Sequence, residues 1–519
     1  MIYQRLPLVI LSFLFIFQFT TNAQNGASLL RSVPEKEGVS SASIMKFLEA
    51  AGRSKNEFHS FMMLRHGRVI AEGWWNPYRP NLKHTMYSCS KSFTATAIGF
   101  AVQEKLLTVN DKVISFFPNA LPDTVSPYLA GLTVKDVLSM SDGQDPDPTF
   151  TTVTRDSNWV RSFLATPILY EPGKRFLYNT LGTYMLSAIV QKVTGQKEID
   201  YLRPRLFTPL GIHDIDWEED TQGINTGGWG LRINTEGLAK FGQLFLQKGK
   251  WNGKQLLPES WIEEASSMKI MQDPDAPQSK KDSSDWLQGY CYQMWRCRNN
   301  AYRGDGAFGQ FIIIMPEQDA VIALTAETAD MQDEINLVWQ YLLPAMKADK
   351  LPANDAMATR LKQKLNGLAV SLPQKISETN AANISDRVFE LQPNEKHLQS
   401  VAFNFKKGMC HVVMKTDTAS YSLDFAAGKW QIGKTRKPGP SLLASARENF
   451  AVLAASSVGG RYYWRDPQTL ELVLRYIESP HTETFVCHFD KKDLTLDIIN
   501  SFDFGKKKTS LKGVEKRNM

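Results

Sequence analysis

Tyr87-Ser88-Cys89-Ser90-Lys91-Ser92-Phe93-Thr94 is the stretch whose reading decides the fold. Ser88 and Lys91 form the pattern Ser-x-x-Lys, after the extended run His84-Thr85-Met86-Tyr87. From Ser88 to Leu107, Phe93, Ala97 and Phe100-Ala101 recur at three- to four-residue spacing, which predicts a helix. A serine at the head of that helix meets the first-turn amides and the positive end of the dipole. The i,i+3 interval puts the Lys91 amine on the same helix face. A lysine acts as a base only when neutral, and moving its pKa from about 10.4 to about 7 takes roughly 4–5 kcal/mol. Burial and a nearby positive or hydrogen-bonding partner can supply that much, so the motif predicts a desolvated pocket. The same pattern at Ser43-Ile44-Met45-Lys46 and Ser266-Ser267-Met268-Lys269 falls inside amphipathic helices and reads as solvent-facing.

Outward from this stretch, His59 to Leu64 and Arg68 to Ala71 flank His66-Gly67 as a hairpin. Helical segments follow at Leu132 to Leu138 (capped by Thr133), at Tyr184 to Val193 (closed by Thr194-Gly195), and at Thr235 to Gln247. Phe311 to Ile314 and Ala320 to Leu324 are two apolar strands around Pro316-Glu317-Gln318-Asp319. Hairpin, helical insertion, hairpin predicts an α/β (α+β) domain in which early and late strands share one antiparallel sheet flanked by helices. Residues 351–386 read as a polar linker. From Val388 onward, short alternating runs such as Ser400 to Phe405 and Leu470 to Leu474 predict a smaller antiparallel β domain over 387–519.

Tyr178-Asn179-Thr180 follows the turn Pro172-Gly173 and leads into a helix. A phenol there can relay a proton between Ser88 and a leaving group, and Asn179 can hold a substrate carbonyl or the Lys91 amine. The competing reading packs Tyr178 at a loop end and uses Asn179 as a helix cap. Four motifs then occur in order. They are the Ser88 stretch, Leu132-Thr133-Val134-Lys135-Asp136-Val137-Leu138-Ser139-Met140-Ser141-Asp142-Gly143, Pro172 to Asn179, and Gly304-Asp305-Gly306-Ala307-Phe308-Gly309-Gln310 before an apolar strand. Together they resemble the class C β-lactamase-related serine hydrolases, a family of penicillin-binding carboxypeptidases, esterases, D-amino-acid amidases and nylon-oligomer hydrolases. The resemblance covers roughly residues 35 to 345. It implies a serine β-lactamase-like domain over 24–350, with Ser88 the acylated nucleophile, Lys91 its base partner and Tyr178 the proton relay. It also implies an oxyanion hole of backbone N–H groups, one from the nucleophile and one from the strand carrying Gly304, Asp305 and Gly306.

Two departures count against β-lactam turnover. True class C β-lactamases carry Tyr-x-Asn, whereas Asn179 directly follows Tyr178. They also carry Lys-Thr-Gly, where this chain has Tyr302-Arg303-Gly304-Asp305-Gly306 and Arg303 as the basic candidate for holding a substrate carboxylate. The expectation is a serine hydrolase that cleaves an ester or amide in a small-molecule or peptide-like substrate, with no metal or organic cofactor. The alternative is a catalytically silent protein of the same fold that recognises cell-wall peptides or glycans.

Composition agrees with a globular chain of more than one domain: 519 residues, and a net charge of only +6 that offers no nucleic-acid face. Arg5, the apolar Leu6 to Phe19 and Thr21-Asn22-Ala23 before Gln24 form a signal peptide at 1–23, implying a secreted or periplasmic protein with no membrane span after cleavage. Nothing sets an oligomeric state. Cys291 and Cys297 would lie about 20 Å apart on one extended strand, so buried free thiols are expected. Gly428 to Thr435 matches G-x-x-x-x-G-K-T, but Pro438 and Pro440 block the helix a phosphate loop must open. His213-Asp214-Ile215-Asp216 lacks the spacing of a zinc site.

Overall fold

Two hairpins far apart in sequence interleave in the first sheet. The computed structural model describes residues 28–371, 384–443 and 455–516, so the expected signal segment lies outside the described residues. Strands β1 (Glu57–Arg65) and β2 (Arg68–Trp74) turn at His66-Gly67, both with positive φ, as a two-residue hairpin requires. Strands β3 (Tyr302–Gly306), β4 (Gln310–Met315) and β5 (Ala320–Glu327) form a meander, and β5 lies antiparallel to β1, with Leu324 opposite Phe61 and Ile322 opposite Met63. The short strands Leu30–Arg31, parallel to β2, and Trp295–Arg296, beside β3, complete the edges.

Side-chain alternation splits the core. Met62, Leu64, Ile312, Ile314, Val321 and Ala323 face one layer of helices; Phe61, Met63, Phe311, Ile313, Ile322 and Leu324 face another. Both faces are covered, which is why these strands read as continuous apolar runs. The first layer holds α2 (Ser90–Gln103), α3 (Val134–Leu138), α4 (Thr180–Thr194) and α5 (Thr235–Leu246), with α5 lying along β5 and β4. Thr133 caps α3 in a capping box with Asp136, and Gly195 closes α4 in a left-handed conformation. The second layer is α1 (Ser41–Arg53) with α6 (Asp355–Asn366). Helix α6 corrects the expected linker. Leu361, Leu365 and Leu368, at helical spacing, are buried against β2 and α1, so this stretch completes a layer of the first domain.

The C-terminal domain is a barrel-like antiparallel sheet. Its strands are β6 (Arg387–Leu391), β7 (Leu398–Lys406), β8 (Met409–Thr416), β9 (Ser420–Ala427), β10 (Gln431–Thr435), β11 (Ser456–Asp466), β12 (Thr469–Tyr476), β13 (Thr482–Asp490), β14 (Asp493–Asn500) and β15 (Thr509–Glu515). Neighbour order runs β9-β8-β7-β6-β15-β14-β13-β12-β11-β10, and a short parallel contact between β9 and β11 closes the ring. Phe389, Phe403, Phe425, Trp464, Phe485 and Phe489 fill its interior. Gly428 to Thr435 runs into strand β10, and the described residues that follow it, 436–443, contain no helix. The barrel docks on the first domain: the Arg475 guanidinium bonds Glu57 at 2.5 and 3.1 Å, and the Tyr78 hydroxyl donates to Ser479 O. Among the described residues no helix is long and apolar enough to cross a membrane.

Candidate active site

Ser88 sits in a single 3₁₀ turn, Tyr87–Cys89, that leads directly into α2. Three bonds lock that turn: Ser90 Oγ donates to Tyr87 O at 2.6 Å, Leu231 N–H donates to Ser90 Oγ at 3.2 Å, and Cys89 Sγ donates to Gln310 O at 3.0 Å. Tyr87 takes φ +46°, a left-handed conformation that costs a non-glycine residue about 1–3 kcal/mol and persists only where its surroundings hold it. A Cβ added to Gly306 would stand 2.2 Å from Met86 O and 3.2 Å from Cys89 N. Only glycine lets the end of β3 approach the serine turn so closely.

Lys91 is 1 % exposed. Its Nζ lies 3.3 Å from Ser88 Oγ, 3.2 Å from Thr180 Oγ1 and 2.8 Å from Gly228 O. Burial drives its pKa down to about 7, although Asp147 and Asp305 pull the other way. A neutral amine keeps two N–H bonds and one lone pair. With Thr180 Oγ1 and Gly228 O accepting the two protons, the lone pair is left for the Ser88 hydroxyl. Tyr178 stands beside Ser88, close enough for the hydroxyl to act on the phenol's pKa, its ring centroid lies 5.1 Å from the Lys91 amine, and it stacks on Trp295. Burial pushes the phenol well above its ordinary pKa, so Tyr178 holds its proton at neutral pH.

The sequence-predicted residues do not all converge. Ser88, Lys91 and Tyr178 meet, and Gly304 and Gly306 line the strand against the serine turn. Asn179 is fully buried and caps α4, its Oδ1 accepting from Gly182 N and its Nδ2 donating to Gln144 Oε1. Neither bond reaches the Lys91 amine, and the capping reading is the one these contacts match. Thr180 stands beside the amine instead, two positions after Tyr178, and a Tyr-x-Thr spacing was there to be read. Arg303, expected to hold a substrate carboxylate, is engaged within the protein. It is fully buried, bonds Asp305 Oδ2 at 3.0 and 2.8 Å and Asp285 O at 2.8 Å, and lies over the Trp286 ring. Asp305 faces that guanidinium and is close enough to Lys91 for its field to register.

Sequence reasoning missed the Gly228 carbonyl, for which the run Gly227-Gly228-Trp229-Gly230 was the available signal. A Cβ on Gly228 would stand 2.8 Å from Thr180 O and 3.2 Å from Lys91 Nζ, so the carbonyl reaches the amine only from a glycine. Asp147, whose Oδ2 accepts from Thr180 N, was missed as well. Cys291 and Cys297 are both free and buried, with Cys297 Sγ accepting from Arg303. Asp214 and Asp216 form ion pairs with Lys83, and Arg232 also bonds Asp216. No group of three or more His, Cys, Asp or Glu stands in metal-holding range among the described residues.

This chain is similar to known proteins over its first domain. The β-lactamase family profile matches residues 59–343. The 6-aminohexanoate-dimer hydrolase of Paenarthrobacter ureafaciens is 24% identical over 292 residues, covering 52% of this chain and 73% of that protein. Protein flp of Staphylococcus aureus strain MW2 is 28% identical over 145 residues, only 27% of this chain and 29% of its own length. Among solved structures, a Bacillus anthracis protein named as a candidate 6-aminohexanoate-dimer hydrolase superposes with a TM-score of 0.51 at 19% identity, covering 63% of this chain and 89% of that one. That likeness is one of fold.

Proposed function

The chain belongs to the β-lactamase family of serine hydrolases, which act on amide or ester bonds, and from that premise we propose that it is an exported acyl hydrolase working through Ser88, Lys91 and Tyr178. Neutral Lys91 takes the proton from Ser88 as Oγ attacks the substrate carbonyl carbon. Gly228 O and Thr180 Oγ1 then hold the new ammonium. The tetrahedral oxyanion is met by backbone N–H groups of Ser88 and of the β3 end around Gly306. Tyr178 gives its proton to the departing alcohol or amine and regains one from the ammonium. Water attacks the acyl-enzyme by the same route in reverse, releasing the acid and restoring Ser88.

The observation that carries this reading is the 3.3 Å approach of a buried amine, with a pKa of about 7, to the Ser88 hydroxyl. With Arg303 engaged by Asp305, β-lactams held by their carboxylate are poor substrates and uncharged esters or amides are preferred. Export rests on the Leu6 to Phe19 segment alone. The test is covalent labelling by a fluorophosphonate. The expected tag is on the Ser88 peptide and is absent in Ser88→Ala; folded wild-type protein that takes no label refutes the reading. A panel of p-nitrophenyl esters, D-amino-acid amides and nitrocefin then ranks the scissile bonds, with nitrocefin expected last.

A further inference from the structure

The turn between β12 and β13 leaves the barrel and reaches the nucleophile. His481 on that turn is fully buried, and its Nε2 lies 2.5 Å from the hydroxyl of Tyr87, the residue before Ser88. Its Nδ1 lies 2.6 Å from Glu327 Oε1 at the end of β5, where Ser501 Oγ also donates at 2.7 Å. In the neutral ring Nδ1–H donates to the carboxylate, which leaves Nε2 as the acceptor for the phenol. Phe308, in the turn between β3 and β4, packs edge-on against both rings, with centroids 5.4 Å from Tyr87 and 4.8 Å from His481. Three residues earlier on the same turn from the barrel, Glu478 O accepts both N–H and Oγ1–H of Thr85, at 2.9 and 3.2 Å, on the strand that feeds the serine turn.

We propose that His481 is a positioning residue for Ser88, so that the C-terminal barrel is part of the frame of the catalytic cleft. The imidazole ties together the two walls between which Ser88 must attack: the left-handed Tyr87 on one side and the β3–β4 turn on the other. Tyr87 cannot relax to an ordinary backbone conformation without drawing its phenol away from Nε2. Two of the barrel's attachments, Arg475 to Glu57 and Ser479 O to Tyr78, involve residues outside the serine turn and provide an internal control. The proposal rests on Ser88 being the nucleophile.

The test measures the maximal inactivation rate kinact and the half-saturating concentration KI for fluorophosphonate labelling. His481→Ala is expected to lower kinact about 10- to 100-fold, as displacement of a nucleophile does, with KI nearly unchanged. His481→Gln, which keeps an acceptor at the place of Nε2, recovers most of the loss. Tyr87→Phe matches His481→Ala, and the double variant is no slower than either alone. Tyr78→Phe leaves kinact as in the wild type. A wild-type kinact in His481→Ala overturns the proposal, as does an equal loss in Tyr78→Phe. Should His481→Ala not fold, Tyr87→Phe decides: it keeps the ring packing, and a wild-type rate there is equally fatal. Persistent labelling in Ser88→Ala overturns the nucleophile assignment itself, a different outcome from any of these.

Discussion

Lys91 on α2 and Arg303 on β3 are both shut off from water beside the same serine turn, yet only the arginine has a carboxylate in contact. Around Arg303, burial works against the charge, but Cys297 and Asp305 hold the guanidinium above its ordinary pKa. Among the described residues, the hydrogen-bond partners of the Lys91 amine are Thr180 Oγ1, Gly228 O and Ser88 Oγ, none of them charged, and its pKa falls to about 7. Desolvation acts on both groups, and the partner decides the outcome. A paired buried cation is architecture, whereas an unpaired one becomes a base.

The largest effect expected breaks the comparison at Lys91. Lys91→Met should lower kcat by about 10³-fold or more while raising the melting temperature, because it removes a desolvated amine from the interior. Lys91→Arg should be equally inactive, since a guanidinium keeps its proton; retention of a tenth of the activity would mean that charge, not basicity, is what the site uses. At the other cation the effect is on stability. Arg303→Met leaves Asp305 buried and alone, and should cost about 3–5 kcal/mol in urea unfolding. Adding Asp305→Asn should return much of that, and a double variant no more stable than the single would show that the pair is not coupled.

Titration sharpens the contrast. The ammonium form of Lys91 cannot accept the serine proton, so kcat/KM should rise with pH through about 7 and level off above it. Asp305→Asn removes an anion that favours the ammonium, so the rise should move to lower pH. The same shift bears on stability. The folded pKa of Lys91 is below its unfolded value, so between about 7 and about 10.5 the unfolded chain binds more protons. This group's contribution to stability therefore grows with pH across that window, the reverse of a lysine that gains a carboxylate partner. The smallest effect separates two neighbours. Thr180→Val should reduce kcat about tenfold, by loosening the amine that gives general-base catalysis its geometry. Asn179→Ala should mainly cost about 1–2 kcal/mol of stability through the lost helix cap. A rate loss that followed Asn179 instead would restore the tyrosine–asparagine pairing expected from sequence.

What was legible in the sequence was local. Ser88 and Lys91 are one helical turn apart, so their meeting follows from helix geometry alone, and Thr133 and Gly195 declared helix ends by their own chemistry. The shared sheet was legible because two apolar hairpins, each too small to stand alone, bracketed a helical insertion. Residues were misjudged where a partner lies elsewhere or on a face not counted. Arg303 looked available because its partner Asp305, two positions along and so on the same strand face, was read as a separate feature. Asn179 was judged by its adjacency to Tyr178, whereas Thr180 is the neighbour that the start of α4 turns toward the amine. Gly228 and His481 reach the site by long-range folding; the glycine run around Gly228 hints at a close backbone approach without saying to what, and no local pattern announces His481.

The Tyr87–His481 contact spans 394 positions of the chain. A ribosome therefore releases the serine, the lysine and most of the first domain well before the residue that braces them has been made. Contacts of such long range are slow to form. Under the proposed role of His481, the aiming of the reactive alcohol waits for a segment made near the end of synthesis.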